Sequence, residues 1–119
     1  MLVIKPDPNN EQNDIKTLNA YHDGEPCGYV RFHHRGYILV IDELLPIPED
    51  PQNMSADTYA ILDLIIRALG SYGLNHSCFY VESDNPVLFP TLSALRFYQK
   101  DSIMKSDLSK ILNHHHDAP

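Results

Sequence analysis

Several residues in this chain have the types and spacing to do chemistry. Glu43, Glu49 and Asp50 gather where a strand-like run enters a proline-rich segment, and a carboxylate there could act as general base toward an amine. The plainer reading is a solvated acidic rim. His33 and His34 are adjacent beside a turn; neighbouring strand residues face opposite ways, so the pair does not converge on one metal ion. They read as turn histidines, and His22 and His76, each isolated, as structural ones. His114, His115, His116 and Asp117 have the composition of a zinc or nickel binder but read as a flexible end. Arg31 and Arg35 near the first turns are a weak anion site. Cys27 and Cys78 lack Cys-x-x-Cys spacing and read as two buried reduced thiols, which places the chain in the cytoplasm. No metal site is expected.

Composition narrows the classes. In 119 residues there is room for one core. A hydrophobic content of 43% with 21% charged residues is that of an ordinary globular domain. The formal net charge of -7, with nine scattered Lys and Arg, argues against nucleic acid, whose phosphates need clustered cations. The seven tyrosines have no basic interleaving and read as sheet packing, not a stacking platform. No apolar run is long enough to span a bilayer, and the first residues lack a signal-peptide pattern, so no membrane partner is expected.

The elements that must hold these residues follow from periodicity. Residues 1–13, with Pro6 and Pro8, read as a short strand or arm followed by a solvated linker. Ile15 to His22 and Cys27 to His33 flank Asp23-Gly24, a tight hairpin turn, and Tyr37 to Leu45 is rich enough in β-branched and aromatic residues to be a central strand. Pro46, Pro48 and Pro51 stop the sheet. Ser55 caps a helix that runs to Tyr72, with Thr58, Ile61, Leu62, Ile65, Ala68, Leu69 and Tyr72 on its apolar side. Leu64 and Ile66 widen that side until only Asp63, Arg67 and Gly70 are left as a polar stripe, so the helix needs cover beyond the sheet. Gly73 is placed as a left-handed C-terminal cap. A parallel strand, Ser77 to Glu82, a second helix, Val87 to Arg96, and a last strand through Phe97-Tyr98 and Ile103-Met104 follow. Residues 106–112 read as a capped helical turn, the domain as residues 14–113, and 114–119 as a flexible tail.

In this order the chain resembles the GCN5-related N-acetyltransferase (GNAT) family over roughly Ile15 to Met104. The stretch from Asp23 through Gly24, Glu25, Pro26, Cys27, Gly28 and Tyr29 to Val30 is similar to the family's DGE-x-VGY hairpin. Ile41-Asp42-Glu43-Leu44 with Pro48-Glu49 resembles the strand ending in V-x-P-E, and the stretch from Leu92 through Ser93, Ala94, Leu95 and Arg96 to Phe97 resembles Y-x-K-L-G-F. The resemblance implies an α/β (α+β) fold: a mixed sheet in which an antiparallel N-terminal meander leads into a βαβ unit with the main helix packed on the sheet. It also implies acyl transfer from acyl-CoA to an amine. Leu45 and Ile47 at the strand's end and Asn53, Ser55 and Ala56 at the helix entry are then the positions that would hold acetyl-CoA or another acyl-CoA. Glu43 would be the base, and Tyr98 or Tyr80 the acid.

The departures from the family pattern weigh against that chemistry. The family holds the pyrophosphate with a glycine-containing loop, because phosphate approaches the backbone closely. The equivalent segment here has no glycine, and Asp57 faces the phosphate position. At about 4 Å and an effective dielectric near 20, one like-charge pair costs roughly 4 kcal/mol. Pro46 and Pro48 remove N–H groups where the family's pantetheine arm pairs with the strand. Leu92 stands at the family's acidic tyrosine, and leucine donates no proton. The family's opening helices, which roof the acceptor site, are missing, leaving a sheet face open or covered by a second subunit. The expected function is therefore a GNAT-like protein with a degenerate acyl-CoA site and no bound cofactor, acting as a binding or dimerisation module. The alternatives are a diverged N-acyltransferase and a ligand-sensing or regulatory subunit. A homodimer and an unidentified small molecule or protein are the expected partners.

Overall fold

Asp23 and Gly24 both take positive φ, 50° and 86°, and turn β2 (Lys16–His22) back on β3 (Glu25–Arg35). β4 (Ile38–Leu45) continues the meander beyond a second turn at Gly36, whose φ is 60°. The structure, a computed structural model, describes the backbone of residues 1–116 and the side chains of residues 1–112. The first residues are a strand of the sheet: β1 (Leu2–Pro6) pairs antiparallel with β2 of its own chain, so this segment covers its own sheet edge. A 3₁₀ turn at Asn10–Gln12 links the two, held by Asn10, whose side-chain amide donates to the Thr17 carbonyl while its oxygen accepts from the Thr17 N–H.

The rest of the fold is as the sequence predicts in kind, with local differences. α1 (Ala56–Asn75) is N-capped by Ser55, whose hydroxyl accepts from the Thr58 N–H at 3.1 Å. β5 (Tyr80–Ser83) pairs parallel with β4. The second helix is shorter than expected: a 3₁₀ turn at Pro86–Leu88 leads into α2 (Phe89–Ala94). The last strand is a hairpin of β6 (Tyr98–Lys100) and β7 (Ile103–Asp107), with β7 inserted beside β5. The order across the seven-stranded sheet is β1-β2-β3-β4-β5-β7-β6. The terminal turn is a helix, α3 (Leu108–His116), and the expected tail side chains from His114 on lie outside the described ones.

Contrary to the sequence expectation, Gly73 does not cap the helix. It lies inside α1, and the helix stops at His76 with Ser77 at φ 59° taking the left-handed position expected of the glycine. A Cβ on Gly73 would meet methyl groups of Leu39 and Leu108 at 3.0 Å, and one on Gly70 would meet Ile111 at 2.9 Å. Both glycines are buried seats for α3 and the sheet, so Gly70 does not belong to a polar stripe either. Asp63 and Arg67, which do, pair at 3.0 Å. The helix thus has the second cover its apolar character demands: Leu62, Ile65 and Leu69 pack with Phe32, Leu39 and Ile41 of the sheet, and Leu108 and Ile111 join the same core. No helix among the described residues is long and apolar enough to cross a membrane.

Candidate functional site

The candidate site lies where β4 and β5 part. Their pairing runs only from Ile38 to Val40 against Tyr80 to Glu82, leaving the far half of β4 without β5 beside it. Backbone groups in such a gap must find other partners. Two carbonyls of β4 find them in side chains at and just beyond the end of β5. Ser83 Oγ, fully buried, donates to the Ile41 carbonyl at 2.9 Å, and Asn85 Nδ2 donates to the Asp42 carbonyl at 3.3 Å. Asn85 is itself fixed, since its N–H donates to Ser83 Oγ and its side-chain oxygen accepts from the Val87 N–H.

On the other flank the end of β4 presses on β3. An added Cβ at Gly28 would lie 2.6 Å from the Leu45 carbonyl and 3.2 Å from Pro46. The Leu45–Pro46 peptide is cis. Leu45 and Ile47 are 39% and 44% exposed, and Asn53, Ser55 and Ala56 are exposed along the entry to α1. Asn53 turns back on Asp50, donating through its side-chain amide at 2.9 Å, and Ser55 is occupied as the cap. Asp57 follows in the first turn of α1. Leu92, at the position of the family's acid, is fully buried in the core.

Glu43 sits on the sheet face away from α1. Its carboxylate accepts from Tyr29 Oη at 2.8 Å and from Arg31 Nη1 at 3.3 Å, and the guanidinium lies over the Tyr29 ring at 4.8 Å from its centroid. The hydrogen bond to Glu43 is the main cause that raises the Tyr29 phenol above its ordinary range, with burial second. Asp42 is an extra residue in β4 opposite the Arg31–Phe32 step, and this bulge brings its carboxylate within 2.8 Å of His33 Nδ1. Further along, buried Glu82 accepts from Arg35 at 2.9 Å and faces Lys105 at 3.8 Å, and Lys105 lies over the Tyr80 ring. Tyr98 is not part of this group. It stands on β6, with β5 and β7 between it and β4, beneath Lys110. The structure brings Glu43 to the strand end and leaves the proposed acid at the far edge.

His33 and His34 face opposite ways, as strand geometry requires. His34 points toward α1, where its Nε2 meets Tyr72 Oη at 2.9 Å and its Nδ1 lies 3.8 Å from Cys78 Sγ; His76 stacks on Tyr72 at 3.9 Å. Burial is the main cause that lowers the His34 imidazole, with His76, Lys16 and His33 adding like-charge repulsion, and burial raises both Tyr72 and Cys78. Sequence reading did not assemble this cluster. Its members are too far apart in the chain to share a motif. Cys27 and Cys78 are free thiols, and no group of three or more His, Cys, Asp or Glu among the described residues could hold a metal ion.

A mixed sheet parted between its two parallel strands, with the principal helix packed on the antiparallel half, defines a GNAT-like fold, that of the GCN5-related N-acetyltransferases. Among solved structures the chain is similar to the PaiA N-acetyltransferase of Thermoplasma acidophilum in complex with coenzyme A, at 16% identity and a TM-score of 0.61 over 83% of this chain and 64% of that one. It is similar to the IAA acetyltransferase of Bacillus cereus at 11% identity and a TM-score of 0.61, over 90% and 99% of the two chains. The AtaT toxin bound to the C-terminus of the antitoxin AtaR is similar at 8% identity and a TM-score of 0.66, over 100% and 99%. At such identities the likeness is one of fold. No family model matches the sequence, and no curated protein matches it.

Proposed function

We propose that this chain is a GNAT-like module that binds or pairs and does not carry out ordinary acetyl transfer. The observation that carries the reading is at the parting between β4 and β5, where Ser83 and Asn85 already hydrogen-bond to the Ile41 and Asp42 carbonyls. A pantetheine amide entering there would have to compete with them for those carbonyls. Three features add to this: the glycine-free entry to α1 with Asp57 in its first turn, Pro46 and Pro48 without N–H groups, and the buried Leu92. The acyl-CoA fit is therefore poor. Two free cysteines suit a reducing compartment such as the cytoplasm.

Calorimetric titration with acetyl-CoA tests the reading. The expected outcome is no saturable heat at high-micromolar ligand; micromolar binding displaced by a bisphosphate nucleotide overturns it. A second reading, a diverged N-acyltransferase, is favoured by Glu43, which two donors orient at the strand end beside an exposed helix entry. It requires release of free thiol from acetyl-CoA in the presence of amines. Release that disappears in Glu43→Gln supports it; release no faster than without protein removes it.

A further inference from the structure

The two edges of the sheet are not alike. β6 offers Tyr98, Gln99 and Lys100, all exposed and mostly polar, which is how natural sheets blunt a free edge. β1 offers Leu2, Val3 and Ile4, each half-buried, ahead of Lys5 and Pro6. Its hydrogen bonding shows what the edge presents. The Asp7 N–H donates to the Thr17 carbonyl at 3.0 Å and the Asp23 N–H to the Met1 carbonyl at 3.2 Å. With Val3 opposite Tyr21 and Lys5 opposite Asn19, antiparallel alternation makes the odd-numbered residues those that bond to β2. Leu2 and Ile4 therefore direct both their N–H and C=O groups to the free edge, and Pro6 directs a carbonyl alone.

The side chains of the same two residues turn toward α1. Leu2 and Ile4 line one side of an open groove of about 540 Å³; on the helix side Leu64, Ala68 and Leu74 line it with Arg67 and Ser71 among them, and Leu112 lines it too. A mainly apolar groove beside an unpaired strand edge accepts another strand, the hydrogen bonds fixing register and alternate side chains filling the groove.

We infer that the occupant is a second copy of this chain, its β1 antiparallel to the first with Leu2 opposite Ile4. The edge is self-complementary in that register. Both residues of each copy donate and accept across the two-fold axis, all four outward N–H groups are satisfied, and Pro6, which could not donate, is not needed. Leu2 and Ile4 of the two copies then form one apolar floor between the two helices. The register brings Lys5 beside the other copy's Met1 ammonium, but each cation has a partner of its own: Lys5 lies over Tyr21, and the ammonium is held by Asp23. β1 and the outward side of α1 amount to roughly fifteen residues a side, below the ~20–30 of a standard interface. The dimer is accordingly concentration-dependent, not obligate. The inference rests on the reading of the chain as a pairing module, and its test does not involve acyl-CoA, so either can fail alone.

Light scattering on the full chain over a concentration series tests it. The expected result is a monomer–dimer equilibrium that Ile4→Pro weakens at least tenfold, since that change removes an outward N–H and leaves the ladder to β2 intact. Leu64→Glu is expected to weaken it similarly. Val3 meets its own copy across the axis as a closely spaced non-bonded pair, so Val3→Cys, with Cys27 and Cys78 replaced by serine, links copies through a disulfide on mild oxidation. This last readout does not depend on Ile4→Pro folding. A monomer at every concentration overturns the inference, as does a dimer that both substitutions leave intact and Val3→Cys does not link.

Discussion

At the scale of single residues, the two sheet faces give opposite electrostatic settings. Tyr29 is solvent-facing, and its phenol is raised chiefly because it donates to the Glu43 carboxylate. Ionising it would lose that bond and set two anions side by side. Glu43→Ala is therefore expected to lower the Tyr29 pKa toward 10, followed by tyrosine ring NMR shifts through the alkaline titration. An unmoved Tyr29 would mean that burial alone holds it up. His34 is set by burial in the other direction. Its pKa in the folded chain is below the unfolded value of 6.5, so protons favour the unfolded state; the stability His34 allows is whole above that pH and is lost as pH falls through the folded pKa. Tyr72, His76 and Cys78 surround the ring and supply no carboxylate to offset the charge. His34→Asn is expected to lose less of its urea midpoint than the parent between about pH 7.5 and about pH 5, because it removes the group that resists protonation. Equal losses in the two chains would assign the acid sensitivity elsewhere.

At the scale of elements, three glycines distinguish two kinds of contact. Gly28 passes the Leu45 carbonyl, which belongs to a strand and cannot turn aside, whereas Gly70 and Gly73 meet the ends of side chains. Gly28→Ala is expected to cost about 2–3 kcal/mol from the clash. Gly70→Ala should cost about 1 kcal/mol, since ~1 kcal/mol of helix propensity offsets part of a similar clash. Urea midpoints in the order Gly28→Ala lowest, then Gly70→Ala, then parent check this; a reversed order would show that β4 gives way more easily than α3. The same residues mark what was legible in the sequence. Asp23-Gly24 and Ser55 announce a turn and a cap by local chemistry, and both are where the pattern puts them. Gly73 has two local readings, cap or seat, and the residue that decides between them, Leu108, is remote in the chain. Glu43 could be singled out as a strand-end carboxylate, but its partners depend on a register shifted by the bulge at Asp42. Ser83 and Asn85 carried no signal at all, because their role consists of filling a gap that exists only once β4 and β5 diverge.

At the scale of the whole molecule, α3 decides whether the helix layer is complete. α1 is apolar on more sides than the sheet can cover, and Leu108 and Ile111, 4% and 8% exposed, close the remaining side over Gly70 and Gly73. Burying two such side chains is worth roughly 1.5–3 kcal/mol each. A domain of this size has about 5–15 kcal/mol in total, so a chain ending at Asp107 should retain its strands and α1 yet lie near the edge of cooperative folding. The expected outcome is a broad thermal transition at lower temperature and dye binding to exposed apolar surface. Leu108→Ala separates the loss of packing from the loss of chain: it keeps α3 and is expected to cost about 2–4 kcal/mol in the urea midpoint. If the shortened chain melted as sharply and as late as the parent, α1 would need no cover besides the sheet. The two glycines would then have to be explained by something other than the helix they seat.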